Sequence, residues 1–248
     1  MNQQVLSALH PTTLTVLQHM YSADKLYGTE SAEPMSLEGT ERNVRTGFEQ
    51  GAAIHTLMRN SSTKRSLEVG MAYGFSTIWM IDALRERADS LHIAIDPFEK
   101  TWFRGIGLAQ LARLGFKYNF QLIDRQSIHA LSDLIRQQEK FDFIYVDGLH
   151  RFDDVLVDFY LCDQILNCGG LIAFDDAWMQ SVRTAVNFVR ANRAYESVRQ
   201  PVANMAVLQK TRDDDRDWWH FAPFKVAPHK QRSLLTKISS RILRSIKE

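Results

Sequence analysis

From residue 66 onward the chain alternates between short apolar runs and longer amphipathic stretches. The runs are SLEVG (66–70), HIAID (92–96), FQLID (120–124), FDFIYVD (141–147) and GLIAFDD (170–176). Between them, STIWMIDALRER, IGLAQLARLG, SIHALSDLIRQQ and FDDVLVDFYLCDQILNCGG carry apolar residues at helical spacing. Strands that are apolar almost throughout are buried on both faces, which points to a parallel sheet covered by helices on either side. The helix from about Phe152 has Asp153 and Asp154 in its first turn, where the helix dipole favours acids, and Gly169–Gly170 predicts its stop. A further helix is predicted near 180–191. YESVRQ (195–200) and NMAVLQK (204–210), joined through Pro201, read as an antiparallel strand pair at the sheet edge. The pattern therefore predicts an α/β fold: a doubly wound sheet of seven strands, mostly parallel, with an antiparallel edge.

Upstream, PTTLTVLQHMY (11–21) sets Leu14, Leu17 and Tyr21 on one helical face, with Pro11 suited to the first turn. Residues 41–60 read as a second helix leading into the core. We divide the chain into a helical cap (1–60), the α/β core (61–210) and a C-terminal segment (211–248). That last segment holds the aromatic stretch DWWHF (217–221) and a basic amphipathic tail, QRSLLTKISSRILRSIKE (231–248). In the tail Leu234, Leu235, Ile238, Ile242, Leu243 and Ile246 share one broad helical face, and Lys237, Arg241, Arg244 and Lys247 decorate the rest. Packing on its own domain or on a second subunit, as a homo-oligomer, is the commoner use of such a helix; contact with an anionic membrane or an acidic partner is the other.

Composition narrows the classes. Of 248 residues 45% are hydrophobic and 24% charged, ordinary for a globular chain, and the formal net charge of +1 gives no reason to expect nucleic acid as a partner. No stretch approaches the roughly 20 apolar residues of a membrane span. The first residues lack the pattern of a secretion signal. The two cysteines, Cys162 and Cys168, make no metal-ligand spacing and read as buried, inert thiols, so a reducing cytoplasm is the expected location.

The chemistry gathers at the strand ends, where open α/β sheets bind ligands. After the first strand, LEVGMAYGFST holds Gly70, which permits a sharp turn, and Gly74, which lets a ligand approach the backbone. The spacing is G-x-x-x-G rather than the dinucleotide G-x-G-x-x-G, which favours a nucleoside without phosphates and disfavours a nicotinamide cofactor. The second strand ends in Asp96, which reads either as an acceptor for both ribose hydroxyls or as a turn former before Pro97. Asp147 ends the fourth strand, and Asp175 and Asp176 end the fifth.

As an ordered set, LEVGMAYGFST, AIDPF, FDFIYVDGLHRFDDV and GGLIAFDDAW resemble the class I S-adenosylmethionine-dependent methyltransferases over about residues 40–210. The nearer likeness is to their metal-dependent O-methyltransferase branch, which includes catechol-type and macrolide-sugar enzymes. The resemblance implies a Rossmann-like sheet. It implies that Glu68, Gly70 and Gly74 line the methionine and ribose end of the cofactor, with Ser76 and Thr77 nearby. Asp96 would hold the ribose, and Phe98 and Ser127 would lie near the adenine, although Ser127 also suits a helix cap. If the fourth and fifth strands are neighbours, as the resemblance implies, a strand spacing of about 5 Å brings Asp147, Asp175 and Asp176 within reach of one ion. In the related enzymes these positions hold Mg²⁺, which suits an open all-oxygen site. Where catechol-type enzymes carry lysine, this chain has His150, as the macrolide-sugar enzymes do. A neutral imidazole there can act as general base, or it can simply pack at the start of the next helix.

The expected activity is Mg²⁺-dependent methyl transfer from S-adenosylmethionine to a hydroxyl of a small molecule, with a sugar or glycosylated metabolite favoured over a catechol. Two other readings stay open: a hydroxylase of the same fold family, and a non-catalytic S-adenosylmethionine-binding partner subunit. TWFRG (101–105), Trp178 and DWWHF supply aromatic rings for an acceptor pocket or, equally, for packing.

Overall fold

The computed structural model describes residues 3–37, 45–199 and 202–227. Two helices open the chain, α1 (Gln3–Ala8) and α2 (Pro11–Ser22), and Pro11 takes the first turn of α2 as its lost N–H predicts. A two-stranded ribbon of β1 (Lys25–Leu26) and β2 (Met35–Ser36) follows. Helix α3 spans Phe48–Asn60; the start of the helix expected from 41 lies partly outside the described residues.

The core then alternates as the hydrophobic pattern requires. Its order is β3 (Arg65–Val69), α4 (Phe75–Leu84), β4 (Leu91–Ile95), α5 (Ile106–Leu111), β5 (Phe120–Ile123) and α6 (Ser127–Arg136). After these come β6 (Phe141–Val146), α7 (Phe152–Ile165), β7 (Leu166–Phe174), α8 (Gln180–Asn192), β8 (Tyr195–Val198) and β9 (Ala206–Lys210). The seven strands lie in the order β5-β4-β3-β6-β7-β9-β8. β3 to β7 pair in parallel, and β9 runs antiparallel between β7 and β8, so the antiparallel pair closes the edge as expected.

Alternation along each strand divides the core. Leu67, Val69, Ile144 and Val146 face α6, α7 and α8, while Phe143 and Tyr145 on the same strand β6 face α3 and α4. A third cluster joins α2, α4 and α5 around Trp79, Tyr73 and Phe75. The chain winds outward from β3 to β5 and then returns to β6 on the other side of β3. The switch in strand order thus falls between β3 and β6, where a ligand crevice opens in this architecture.

One boundary differs from expectation. Helix α7 ends at Ile165, not at Gly169–Gly170, and Leu166–Phe174 is one continuous strand that contains both glycines. Gly169 sits at φ +82°, a conformation glycine tolerates inside a strand where it marks an irregularity, and the β6–β7 register does shift between Phe141 and Phe143. The tail 231–248 lies outside the described residues. No helix among the described residues is long and apolar enough to cross a membrane.

Candidate active site

At the end of β3 the chain turns through Gly70 to Gly74. Gly70 has φ +93°, and a Cβ there would stand 2.1 Å from the carbonyl oxygen of Asp147, so only glycine fits. Gly74, at φ +78°, is the N-cap of α4. The turn between them is held by Asp96 at the end of β4. One carboxylate oxygen accepts the N–H groups of Met71 (3.0 Å) and Ala72 (2.8 Å), and the other accepts that of Phe98 (2.7 Å). Asp96 is buried, and burial raises its carboxyl above the usual range against the pull of those three amides. It lines the cleft with Gly70 and Ser76.

Glu68 and Thr77 belong behind this wall rather than in it. Both are fully buried, and neither lines the cleft. The Glu68 carboxylate accepts the hydroxyls of Ser76 and Thr77, and the His92 ring stands 3.5 Å away, held through its Nδ1 by Ser66. A carboxylate this deep is tolerable because hydroxyl donors satisfy it. Its work is to pin the start of α4 to β3, and of the three residues only Ser76 reaches the cavity.

The acid end lies across the switch point. Asp147 and Asp175 lie close enough for each to shift the other's titration. Burial first, then the neighbouring charges of Asp175 and Glu68, push the Asp147 carboxyl well above the usual carboxylate range; burial also raises Asp175. Asp175 is gripped from three sides. Its Oδ1 accepts Gln50 Nε2, Asn204 Nδ2 (3.0 Å) and the N–H of Asp176. Gln50 in turn donates to the Tyr145 hydroxyl (2.7 Å) and accepts from Asn204 (3.1 Å).

Asp176 adopts φ +49°, a left-handed conformation that aspartate tolerates better than most residues. Its Oδ1 accepts the Trp178 indole N–H (2.8 Å), and its Oδ2 stands 3.2 Å from His150 Nε2. The same nitrogen lies 3.9 Å from Asp147 Oδ1. The four predicted residues therefore converge, in two pairs. Among the described residues no three acid, histidine or cysteine side chains stand as a ready metal-ligand set. The donor type is nonetheless one a hard divalent cation takes, since Asp147, Asp175 and Asp176 all offer carboxylate oxygens at this end of the cleft.

These groups border one cleft of about 1240 Å³, enough for a nucleoside cofactor and a second small molecule. Phe98, Ile128, Leu149 and Val157 are among its lining residues, as is Ser127. Ser127 is not the cap of α6; Gln126 holds that position, and the Ser127 hydroxyl bonds instead to Asp158 on α7. Of the aromatic candidates for an acceptor pocket, Phe103 and Trp178 line the cleft, and Trp102 points to solvent. DWWHF does not reach the cleft. It leads into a strap along α8, where Asn192 bonds Ala222, Asn187 bonds the Lys225 carbonyl and Thr184 accepts the N–H of Ala227. Cys162 is buried as expected. Cys168 is exposed, because it sits in the strand that replaced the predicted helix end.

Sequence reasoning missed Gln50, Asn204 and Asp158. Gln50 and Asp158 each carry a visible signal: a polar side chain on an otherwise apolar helical stripe, beside Ala53 and Ile54 in α3 and beside Val155, Phe159 and Cys162 in α7.

Residues 67–177 match a sequence-family model described as a methyltransferase domain. Among curated relatives, the flavonoid 3',5'-methyltransferase of Vitis vinifera is 28% identical over 156 residues, 59% of this chain and 64% of that protein. The chain spans between about half and just under two thirds of the length of the curated relatives it matches. Among solved structures, the O-methyltransferase from Bacillus cereus in complex with SAH superimposes with TM-score 0.61 at 18% identity, over 84% of this chain and 96% of that one. TomG from Streptomyces achromogenes, in complex with SAM, gives TM-score 0.59 at 18% identity over 82% and 91%. Residues 67–177 are thus similar in sequence to a methyltransferase domain, and the fold is one shared with solved O-methyltransferase structures.

Proposed function

We propose that the chain transfers a methyl group from S-adenosylmethionine to a hydroxyl of a small molecule, with a divalent cation assisting. One observation carries the reading: His150, Asp147 and Asp176 face the same cleft as Gly70 and Asp96, across the switch point of the sheet. The matched domain model and the names of the relatives, flavonoid 3',5'-methyltransferase and caffeoyl-CoA O-methyltransferase, support it.

The chain's own residues account for the chemistry as follows. Asp96 and the Gly70–Ala72 backbone seat the nucleoside, which fixes the sulfonium methyl near the acid end. Displacement at that methyl forms the C–O bond as the C–S bond breaks, so alignment supplies much of the rate. The acceptor's proton passes to His150. With Nε2 turned to the Asp176 carboxylate, Nδ1 keeps its lone pair for that proton. A divalent cation held by Asp147, Asp175 and Asp176 would lower the hydroxyl's pKa and orient it. The products are a methyl ether and S-adenosylhomocysteine.

Histidine rather than lysine at position 150 favours an aliphatic hydroxyl, which needs a base and a cation together, over an already acidic catechol. A sugar or glycosylated metabolite fits that demand, and Trp178, half exposed beside Asp176, offers a face for a pyranose. The experiment is calorimetry with S-adenosylhomocysteine, then a screen of hydroxylated acceptors with Mg²⁺ and with chelator, on wild type and Asp147→Ala. We expect both chelation and the substitution to abolish methylation while cofactor affinity changes less than about threefold. Full turnover in excess chelator would remove the metal from the mechanism. A mass gain of one oxygen rather than one methylene would favour the hydroxylase reading.

A further inference from the structure

The strap along α8 ends beside the cleft, and the sequence goes on past Ala227 for 21 residues more. Three side chains of α8, met in reverse order, fix its path. Asn192, the last residue of the helix, bonds Ala222 in both directions, and Asn187 donates to the Lys225 carbonyl. Thr184 accepts the N–H of Ala227, which is buried. The strap therefore runs antiparallel to α8 and arrives at its opening turns. Thr184 lies four residues past Gln180, about 6 Å along the axis. That end of α8 belongs to the cleft's rim. Trp178 and Met179, which lead into it, line the cavity, and Ser181 in its first turn donates to the His150 carbonyl, on the turn between β6 and α7.

This rim is apolar and open, and the cavity behind it is acidic. Leu149 is 57% exposed, Trp178 50% and Phe152 38%, all three within the two strand-to-helix turns that Ser181 joins. Large apolar side chains left open together mark a surface that meets something. Among the described residues the cleft is lined by eight acids and only two arginines, Arg45 and Arg151, and Arg151 is already paired with Asp154. The sequence beyond Ala227 has the matching chemistry. Residues 228–248 carry six lysines and arginines against one acid, Glu248, and their six leucines and isoleucines fall at the spacing of one helical face. The remainder of the chain has the opposite sign, with 24 of the 30 lysines and arginines but 28 of the 29 acids.

We propose that residues 228–248 dock on the rim of this chain's own cleft, their apolar face on Leu149, Phe152 and Trp178 and their cations over the acidic mouth. Reach is no obstacle. Helices α7 and α8 pack together, packed helices stand about 8–10 Å apart, and a few residues cover that distance. A segment tethered beside its site has an effective concentration on the order of millimolar, so contacts too weak to hold a free peptide keep it in place. An anionic membrane or a second copy of the chain offers similar chemistry without that advantage. The docked segment stands between solvent and the acid end, so a molecule entering there must displace it or pass beside it. Docking uses the rim and the sign of the charge, and it holds whatever the cleft binds.

Hydrogen exchange on the full chain reads the docking without any substrate. The N–H groups of Phe152 and Asp153 open α7 and have no partner within the helix, so a cover is what slows them. In wild type, residues 149–153 should exchange about tenfold more slowly than in Leu235→Asp/Ile242→Asp, two substitutions that spoil the apolar face and leave residues 1–227 as they are. Lys237→Glu/Arg241→Glu should remove most of the same protection, and salt at about 1 M should weaken it severalfold. In the reverse direction, Leu149→Ser/Phe152→Ser should speed exchange in residues 234–246. Equal exchange of residues 149–153 in wild type and in both tail variants overturns the proposal. Protection that fades on dilution also overturns it and assigns the tail to a second copy. Protection of the tail that appears only with vesicles containing phosphatidylserine overturns it in favour of a membrane. Should the rim variant misfold, the tail variants decide alone.

Discussion

Asp96 and Asp147 are both aspartates at the ends of the two parallel strands that flank β3, yet their surroundings are opposite in kind. Asp96 is held by three backbone amides, donors fixed by the fold and present whatever binds. Asp147 leans on another carboxylate, and its charge is disfavoured by burial and by Asp175, Glu68 and Asp176 together. On the side proposed for the cofactor, the fold itself supplies these partners. The acid side is strained by like charges and relieved by a proton or a cation. Under the proposed function the contrast separates a part that recognises from a part that reacts, since groups poised for chemistry are commonly the electrostatically uncomfortable ones.

The comparison is most sharply tested at the reactive side. His150→Ala should lower kcat by about 10²–10⁴, the usual contribution of a positioned general base, and leave S-adenosylhomocysteine affinity within about twofold. Steady-state kinetics and calorimetry on one preparation separate the two effects. A large loss of cofactor affinity would show that the two sides are not separable.

The recognition side should respond the other way. Asp96→Ala strands three amide donors beside the turn and should cost about 2–4 kcal/mol in urea denaturation, with cofactor binding lost. A smaller cost, under about 1 kcal/mol, would mean that the turn holds itself and that Asp96 serves the ligand alone.

A third carboxylate tests whether backbone donors are what makes Asp96 comfortable. Glu99, just beyond Asp96, is fully buried and takes backbone bonds from Gly107 and Leu108 on one oxygen, while the other has no partner among the described residues. Burial, with the Asp96 charge adding, pushes its carboxyl up to about 7. The folded state therefore holds a proton that the unfolded chain has released, so the stability it contributes is full below the ordinary glutamate range and is lost as pH rises through about 7. Between pH 5 and 8 that loss amounts to about 2 kcal/mol. Glu99→Gln should flatten the slope, read from urea midpoints at the two pH values. A slope unchanged by the substitution would assign the pH dependence elsewhere.

The strands were legible because β3, β4, β6 and β7 are buried on both faces and mostly apolar, a pattern few other settings require. The acids and histidine were legible because polar residues closing such runs are costly without a use. What stayed hidden has specific causes. Two-residue strands such as Lys25–Leu26 are too short to show a period. Gly169–Gly170 has the form of a helix stop, and tertiary pairing with β6 drew the strand back past it. Asn204 lies in a loop with no periodicity to mark it, and only the folded chain brings it to Asp175. Glu68 sits in the right motif but at a position whose side chain turns inward, because strand alternation sends it to the face opposite Val69.

The bare backbone of Gly70 against the Asp147 carbonyl has a mechanical consequence. With no side chain between them, the turn proposed to cradle the donor and the turn that begins the acidic cluster meet backbone to backbone. Under the proposed function, a shift of that turn would press directly on the Asp147 backbone, so a donor seated there would bear on the place where the acceptor must wait.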